Sequence, residues 1–212
     1  MYKRQVIEGG LSPDECRDFL VRSNDSAIHL LRLISDMLDL TKLESGTAVI
    51  AVEPMAAAPI VEEVRSLTEV LATAKGLRMD VRVDPTLAVR ADRQRVKQIL
   101  LNLVGNALKF TTTGGVTVTA AAEAELVAFV VRDTGCGIPG EQQSLLFGKF
   151  MRLDSRSTAP EDGVGLGLSI CRELVTLMGG EITLTSAGLE RGTEVRFTLP
   201  RAPATQRRAA NP

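Results

Sequence analysis

The chain has little of what several common kinds of functional site require. Its 212 residues include one histidine, His29, which excludes a metal site built from histidines. The three cysteines, Cys16, Cys136 and Cys171, lack metal-ligand spacing, and their odd number suits a reducing compartment better than a disulfide framework. A formal net charge of −1 provides no basic surface for nucleic acid and little attraction to anionic lipid. With no apolar run long enough to cross a bilayer and no recognisable signal peptide, we expect a cytoplasmic chain without direct membrane contact.

The composition is that of an ordinary globular domain, 44% hydrophobic and 24% charged, and the first pattern in it is a long helix. Ser12, Pro13 and Glu15 form a capping box that starts this helix, and Gly46 ends it. Apolar residues keep helical spacing at Ala27, Leu31, Ile34 and Leu38. A helix of about thirty residues is long for a globular domain and is typical of a helical hairpin or bundle.

Beyond Gly46 the pattern predicts runs of short strands and helices, which favours an α+β fold with a sheet that carries helices on one face. The predicted strands are 48–54, 77–83, 115–121, 126–133, 181–186 and 193–200. The predicted helices are 58–74, 92–110 and 165–180. The tail, 201–212, is rich in proline, alanine and arginine, and we expect it to be disordered.

A polar stripe runs along the predicted helix 92–110. Asn102, Asn106 and Lys109 stand at positions i, i+4 and i+7, so they share one face. Asparagine is a poor helix former, and a merely solvated face usually carries glutamate, lysine or arginine instead. Two amides beside a lysine can offer oxygen ligands to Mg²⁺ and a cation to phosphates, although a solvated face remains the alternative.

The stretch "DTGCGIP" at 133–139 follows an apolar strand. Gly135 and Gly137 allow a tight turn and the close approach of a flat ligand. Asp133, at the end of the strand, can accept a hydrogen bond from an exocyclic amine. The alternative is an ordinary surface turn.

A second glycine-rich stretch, "EDGVGLGLSI" at 161–170, leads into a helix. Backbone amides at such a helix start can bind phosphate, and the glycines concerned are Gly163, Gly165 and Gly167. Neither the Walker A pattern nor the dinucleotide-binding pattern of a Rossmann fold fits this spacing.

A basic segment at 145–163 precedes these glycines and contains Phe147, Lys149, Phe150 and Arg152. It indicates a lid over a nucleotide, with core packing as the alternative for the two phenylalanines.

In this order, "NLVGNALKFT", "DTGCGIP", "LFGKF" and "GVGLGLSI" resemble the N, G1, F and G2 boxes of the sensor histidine kinases. These kinases belong to the GHKL superfamily, a wider group of ATPases that includes DNA gyrase, MutL and a heat-shock chaperone. The resemblance spans roughly residues 12–200 and implies an α/β sandwich of a mixed sheet packed on helices, the Bergerat-type ATP-binding fold. "SDMLDLTKLESG" is similar to the end of the family's dimerisation hairpin, so the long helix would be its second helix.

The resemblance also implies the domain boundaries. Residues 1–46 would be a partial dimerisation hairpin, 47–200 the catalytic ATP-binding domain and 201–212 the tail, with 1–8 a stub of the first hairpin helix. The family's acceptor histidine lies on that first helix, followed by an acidic residue and, five places on, by proline. His29 is followed by Leu30 and has Ile34 at the fifth place, so we do not favour it as the acceptor, which is expected upstream of Met1.

The family's site residues carry over by position. Asn106 would coordinate Mg²⁺ through ATP with Asn102 nearby, Lys109 would face the phosphates, and Arg152 would reach the γ-phosphate. Asp133 would bind the adenine amino group. The other residues expected to contact the nucleotide are Phe110, Gly135, Gly137, Phe150, Gly163, Gly165, Gly167, Leu168 and Thr193.

The implied activity is transfer of the ATP γ-phosphoryl group to a protein histidine in two-component signalling, with ATP and Mg²⁺ as cofactors. The implied partners are a response regulator or receiver domain and, through the hairpin, a second copy. We expect this chain not to phosphorylate itself and to self-associate through its long helix. The alternatives are a GHKL-type ATP hydrolase and a non-catalytic regulatory module. Asn102 argues against the hydrolase because hydrolysing relatives carry a glutamate base there, and an amide cannot accept that proton.

Overall fold

A computed structural model describes residues 12–151 and 165–203 of the chain. The helices are α1 Pro13–Glu44, α2 Ala57–Ala74, α3 Arg93–Phe110, α4 Gly140–Gln143 and α5 Gly167–Leu177. The strands are β1 Glu53–Ala56, β2 Arg78–Val83, β3 Ala88–Ala91, β4 Gly115–Glu123, β5 Leu126–Asp133, β6 Ile182–Thr185 and β7 Glu194–Pro200.

The main sheet has five strands in the order β2-β4-β5-β7-β6, with β2 parallel to β4 and the other neighbours antiparallel. Helices α2, α3 and α5 pack against this sheet, and α3 also packs against α2 and α5. At its centre the rings of Phe129 on β5 and Phe197 on β7 stack with their centroids 4.8 Å apart. Both rings are fully buried, and the mixed sheet with its packed helices confirms the expected α+β fold.

Helix α1 begins and ends as its sequence predicts. The Ser12 side chain accepts a hydrogen bond from the Glu15 backbone and the Glu15 side chain accepts one from the Ser12 backbone, so the capping box is formed. Gly46 follows the C-cap with φ +67°, a conformation that favours glycine. The predicted apolar stripe does not lie in a core, because Leu31 is 68% exposed and Leu38 56% exposed.

The last turns of α1 pack against the rest of the fold. Leu40 is only 6% exposed and joins the main core. Asp39 accepts a hydrogen bond from Gln98 of α3 at 2.9 Å and faces the Arg95 guanidinium at 3.4 Å. At the end of the helix, Glu44 forms an ion pair with Lys149. Helix α1 is therefore anchored to the rest of the fold at its C-terminal end.

The predicted strand at 48–54 is misplaced. The strand observed is β1, Glu53–Ala56, which pairs antiparallel with β3 in a separate two-stranded sheet. Neither β3 nor the short helix α4 was predicted. The pairing partner of β1 lies some 35 residues further along the chain, beyond the reach of a local pattern.

Some expectations concern residues outside the described ranges: the helix stub at 1–8, Arg152, Gly163, most of the lid segment and the tail beyond residue 203. Across the described ranges, no helix combines the length and apolar character needed to cross a membrane.

Candidate nucleotide site

Helix α3 carries the polar stripe and is fixed by a broad apolar face. Its start is capped by Asp92, whose Oδ1 accepts hydrogen bonds from the backbone of Gln94 and Arg95. The buried face comprises Val96, Ile99, Leu100, Leu103, Val104, Ala107 and Leu108. Asn102, Asn106 and Lys109 are half-buried beside this face. A purely solvated face does not describe these three residues.

Asn102 is held against the start of α5. Its Nδ2 donates a hydrogen bond to the Cys171 sulfur at 3.3 Å. A Cβ added to Gly167 would come within 2.5 Å of both the oxygen and the nitrogen of the Asn102 amide. A side chain at position 167 would therefore displace the Asn102 amide from this place.

The far end of α3 contacts the 133–139 loop. The Phe110 carbonyl accepts a hydrogen bond from the Cys136 backbone at 3.2 Å, and a Cβ on Gly135 would overlap the same carbonyl. Lys75 caps this end of the helix by donating to the Leu108 carbonyl at 2.8 Å. The Lys109 ammonium lies 5.4 Å from the centre of the Phe110 ring.

Asp133 ends β5 with its carboxylate turned toward the backbone of two segments. Its Oδ1 accepts hydrogen bonds from the Gly135 N–H at 2.8 Å and from the Thr193 N–H at 3.1 Å. Burial raises the pKa of this carboxyl group, and the two hydrogen bonds act in the opposite direction. Within the described part of the chain both bonds end on Oδ1, which leaves Oδ2 as the acceptor for an outside donor.

The 133–139 loop is pressed against the turn between β6 and β7. Gly137 has φ +66°, and a Cβ there would overlap the Gly188 carbonyl. Ser186 ties the two loops together, since its hydroxyl accepts from the Ile138 N–H at 3.0 Å and donates to the Gly192 carbonyl at 2.6 Å. The glycines predicted to admit a flat ligand thus make close approaches to the protein's own backbone.

The two phenylalanines of the lid segment differ in environment. Phe147 is 9% exposed, with the Arg172 guanidinium 5.9 Å from its ring centre, whereas Phe150 is 59% exposed and has φ +60°. Core packing therefore describes Phe147, while Phe150 is the exposed member of the pair. A Cβ on Gly165, which has φ +78°, would lie 2.6 Å from the Met151 carbonyl. Met151 and Gly165, the described residues on either side of 152–164, therefore lie in close contact.

The N-terminus of α5 suits an anion. Its N-cap, Leu166, makes no side-chain hydrogen bond to the helix, so the N-cap residue does not occupy the first backbone N–H groups. Such groups and the helix dipole favour phosphate. Asn102 packs against this helix start, and Lys109 lies in the last turn of α3, near the 133–139 loop. Helix α3 therefore connects the start of α5 with that loop in the candidate site.

The donor set fits a magnesium nucleotide better than a metal bound by protein alone. Residues 12–151 and 165–203 contain no cluster of three or more histidine, cysteine or acidic side chains able to hold a metal ion. Mg²⁺ bound to ATP needs few protein ligands, because phosphate oxygens and water supply most of its coordination shell. An amide oxygen on α3 matches that requirement.

Sequence reasoning missed two contributors. Cys171 stands one turn after Gly167 on the same helix, although the sequence shows it only as one of three scattered thiols. Ser186 lies in a turn that has no distinctive signature. Thr193 is among the expected residues, but it meets Asp133 through its backbone N–H, which no side-chain pattern reveals.

This arrangement defines an ATPase-type nucleotide-binding domain. Residues 91–203 match the family described as histidine kinase-, DNA gyrase B-, and HSP90-like ATPases, and the chain belongs to that family. A sensor-like histidine kinase of Rhizobium meliloti is 36% identical over 91% of this chain, which spans 37% of that relative's length.

Solved structures agree with this assignment. Full-length ShkA in complex with AMPPNP superposes with a TM-score of 0.77 at 33% identity, covering 94% of this chain and 42% of that one. Histidine kinase ThkA in complex with the response regulator TrrA superposes with a TM-score of 0.71, covering 97% of this chain and 57% of that one. Because ThkA is 23% identical, it supports the fold alone.

Proposed function

We propose that this chain is the ATP-binding catalytic portion of a sensor histidine kinase. It binds Mg-ATP and transfers the γ-phosphoryl group to a histidine on a separate helix. The observation that carries the proposal is the Asp133 carboxylate, which is held through Oδ1 by the Gly135 and Thr193 backbones and keeps Oδ2 as an acceptor. An acceptor oxygen fixed at the end of a strand suits the exocyclic amine of adenine.

The chain's own groups divide the remaining work. Asn106 offers an amide oxygen to Mg²⁺, which neutralises charge on the phosphates when bound. Lys109 provides a cation for the phosphates, and the start of α5 provides backbone N–H donors. Positioning and charge stabilisation supply most of the catalysis in phosphoryl transfer, so these static features are sufficient for the reaction class.

Three further residues outside the described ranges or at their edge belong to the same proposal. Arg152 is assigned to the γ-phosphate and Gly163 to the phosphate loop, while Phe150 contributes an exposed ring at the start of the lid.

We propose the domain division 1–46, 47–200 and 201–212, with α1 as the second helix of a dimerisation hairpin. The exposed apolar residues of α1 support pairing with helices of a second copy. A response regulator or receiver domain is the proposed phosphoryl recipient, as the similarity to a sensor-like histidine kinase implies.

His29 is not the proposed acceptor, because the residues after it depart from the family's acceptor pattern. The chain by itself should therefore not label itself with phosphate. A separate helical hairpin that carries an acceptor histidine should be labelled instead.

The test uses γ-labelled Mg-ATP with this chain, with and without such a hairpin, beside an Asn106→Ala control and a phosphate-release assay. We expect acid-labile label on the added hairpin, absent with the control variant. Label at His29 would overturn the assignment of the acceptor. Free phosphate without label would indicate a hydrolase, and ATP binding with neither product would indicate a regulatory module.

A further inference from the structure

The Asn102 side chain is fixed by contacts that the proposed reaction does not itself require. Its amide nitrogen donates to the Cys171 sulfur at 3.3 Å, and the amide lies over Gly167 at the start of α5. Gly167 and Cys171 are one helical turn apart, so together they form a notch that receives one amide.

The thiol in this notch is buried and neutral. Cys171 is 1% exposed, and burial raises its pKa to about 12. Its sulfur lies 4.0 Å from the Ile99 carbonyl oxygen, the acceptor for its one proton. The sulfur therefore presents lone pairs to Asn102, which favours the orientation in which Nδ2, and not Oδ1, faces Cys171.

The opposite end of the amide remains accessible. Within residues 12–151 and 165–203, Oδ1 of Asn102 accepts no hydrogen bond, and no buried side-chain oxygen or nitrogen lacks a partner. Asn102 is half-buried, and Oδ1 is the end of its amide left to accept a hydrogen bond from outside the described residues, beside the helix start assigned to the phosphates. An oxygen there repels phosphate oxygens but accepts hydrogen bonds from water held by Mg²⁺, which keeps several waters when it binds nucleotides.

We propose that Cys171 is a positioning residue, whose sulfur holds the Asn102 amide so that Oδ1 is the end offered to the water shell of nucleotide-bound Mg²⁺. This inference rests on the proposed function, because it needs Mg-nucleotide at this site. Under this inference Asn102 has two roles. It selects the magnesium-loaded nucleotide, and as an amide it does not act as the base that would activate water.

The test measures binding and not activity. The melting temperature of the full chain is recorded with a non-hydrolysable ATP analogue at increasing Mg²⁺, and each variant is compared with its own unliganded value. Cys171→Ala should raise the half-saturating Mg²⁺ concentration about two- to tenfold, the range that a neutral hydrogen bond supports. Cys171→Ser should restore the original value, because its hydroxyl can still accept from Nδ2.

A double variant separates positioning from general packing. In the Asn102→Ala background, Cys171→Ala should cause no further change in Mg²⁺ dependence. A shift that persists in that background, or no shift in Cys171→Ala alone, would overturn the inference while leaving nucleotide binding intact. Failure of the unaltered chain to bind the analogue would overturn the proposed function as well.

The Gly167→Ala variant perturbs the Asn102 amide from the side opposite Cys171. It therefore tests the same inference if the Cys171→Ala variant does not fold. Its new methyl group meets only Asn102 among the three nearest atoms, so it should shift the Mg²⁺ dependence in the same direction. Asn102→Ala should make that methyl group harmless. If the two substitutions at 167 and 102 act independently, the proposed coupling through the amide is wrong.

Discussion

The Asp133→Asn substitution separates the structural role of this side chain from its proposed role in base recognition. Both backbone N–H groups that bind Asp133 do so through Oδ1, at 2.8 Å and 3.1 Å. Those two donors require an oxygen, so an asparagine will keep its Oδ1 there and place Nδ2 where Oδ2 now stands. The acceptor offered to the nucleotide becomes a donor, while the contacts within the protein are preserved.

The expected loss follows from the hydrogen bond removed. A hydrogen bond to a charged group is worth about 1.5–3 kcal/mol, which corresponds to about 10- to 150-fold in ATP affinity. Inosine triphosphate has a carbonyl oxygen in place of the adenine amino group, so it should bind the variant better than it binds the unaltered chain. The melting temperature without nucleotide should change little.

Titration calorimetry with ATP and inosine triphosphate measures both affinities. A matched drop for both nucleotides would show that Asp133 supports the fold and does not read the base, which would refute the reasoning.

A pH series adds a second check. Burial raises the pKa of Asp133, so this carboxylate takes up a proton at a higher pH than an ordinary aspartate. When the pH is lowered, ATP affinity should therefore begin to decrease at that higher pH. The asparagine variant should show no such dependence.

Other substitutions test the rest of the arrangement. Leu40→Ala should lower the free energy of unfolding in urea by about 2–4 kcal/mol, because this leucine is buried in the core, whereas Leu67→Ala on the exposed face of α2 should change it by less than about 0.5 kcal/mol. Leu31→Glu should reduce concentration-dependent self-association in sedimentation experiments, and a monodisperse monomer before substitution would contradict the pairing proposed for α1. Alkylation of Cys136, an exposed residue, should block nucleotide binding, and bound ATP should slow the alkylation. The alkylation rate should continue to rise to a higher pH than for an ordinary thiol, because partial burial of the thiol and the Asp133 charge raise the pKa of Cys136. Nucleotide binding by the Cys136→Ser variant should not respond to the alkylating reagent. Asn102→Asp places a carboxylate at the same position and should increase phosphate release by about 100-fold, the lower end of the range that a general base contributes; unchanged release would show that the amide does not limit water attack.

The sequence was most informative where the determinant of structure is local. The capping box at Ser12 and the left-handed glycines after α1 and α2 set the helix boundaries within a residue or two. The alternation in 77–83 likewise places β2, whose side chains alternate between exposed and half-buried, and the apolar run in 126–133 places β5, which is buried over most of its length. Strand β1 was misplaced because its position depends on pairing with β3, a contact distant in sequence.

The candidate site was predictable as a list of residues but not as a set of contacts. The polar stripe on α3 and the glycine-rich loops were recognised by spacing. That Gly167 accommodates Asn102, and Gly137 a neighbouring carbonyl, follows only from tertiary packing. The roles proposed for these residues toward ATP and Mg²⁺ remain predictions to be tested by the substitutions above.

The position of β7 constrains the order in which this domain can be completed during synthesis. β7 follows every other strand of the described residues in sequence, yet it lies between β5 and β6 in the sheet. Until Phe197 is translated, Phe129 on β5 lacks its stacking partner and one edge of β5 lacks a neighbour. An unpaired edge that carries buried-type side chains invites pairing with other chains. A message cut short before codon 194 should therefore yield an aggregating product, and not a smaller domain that still binds nucleotide.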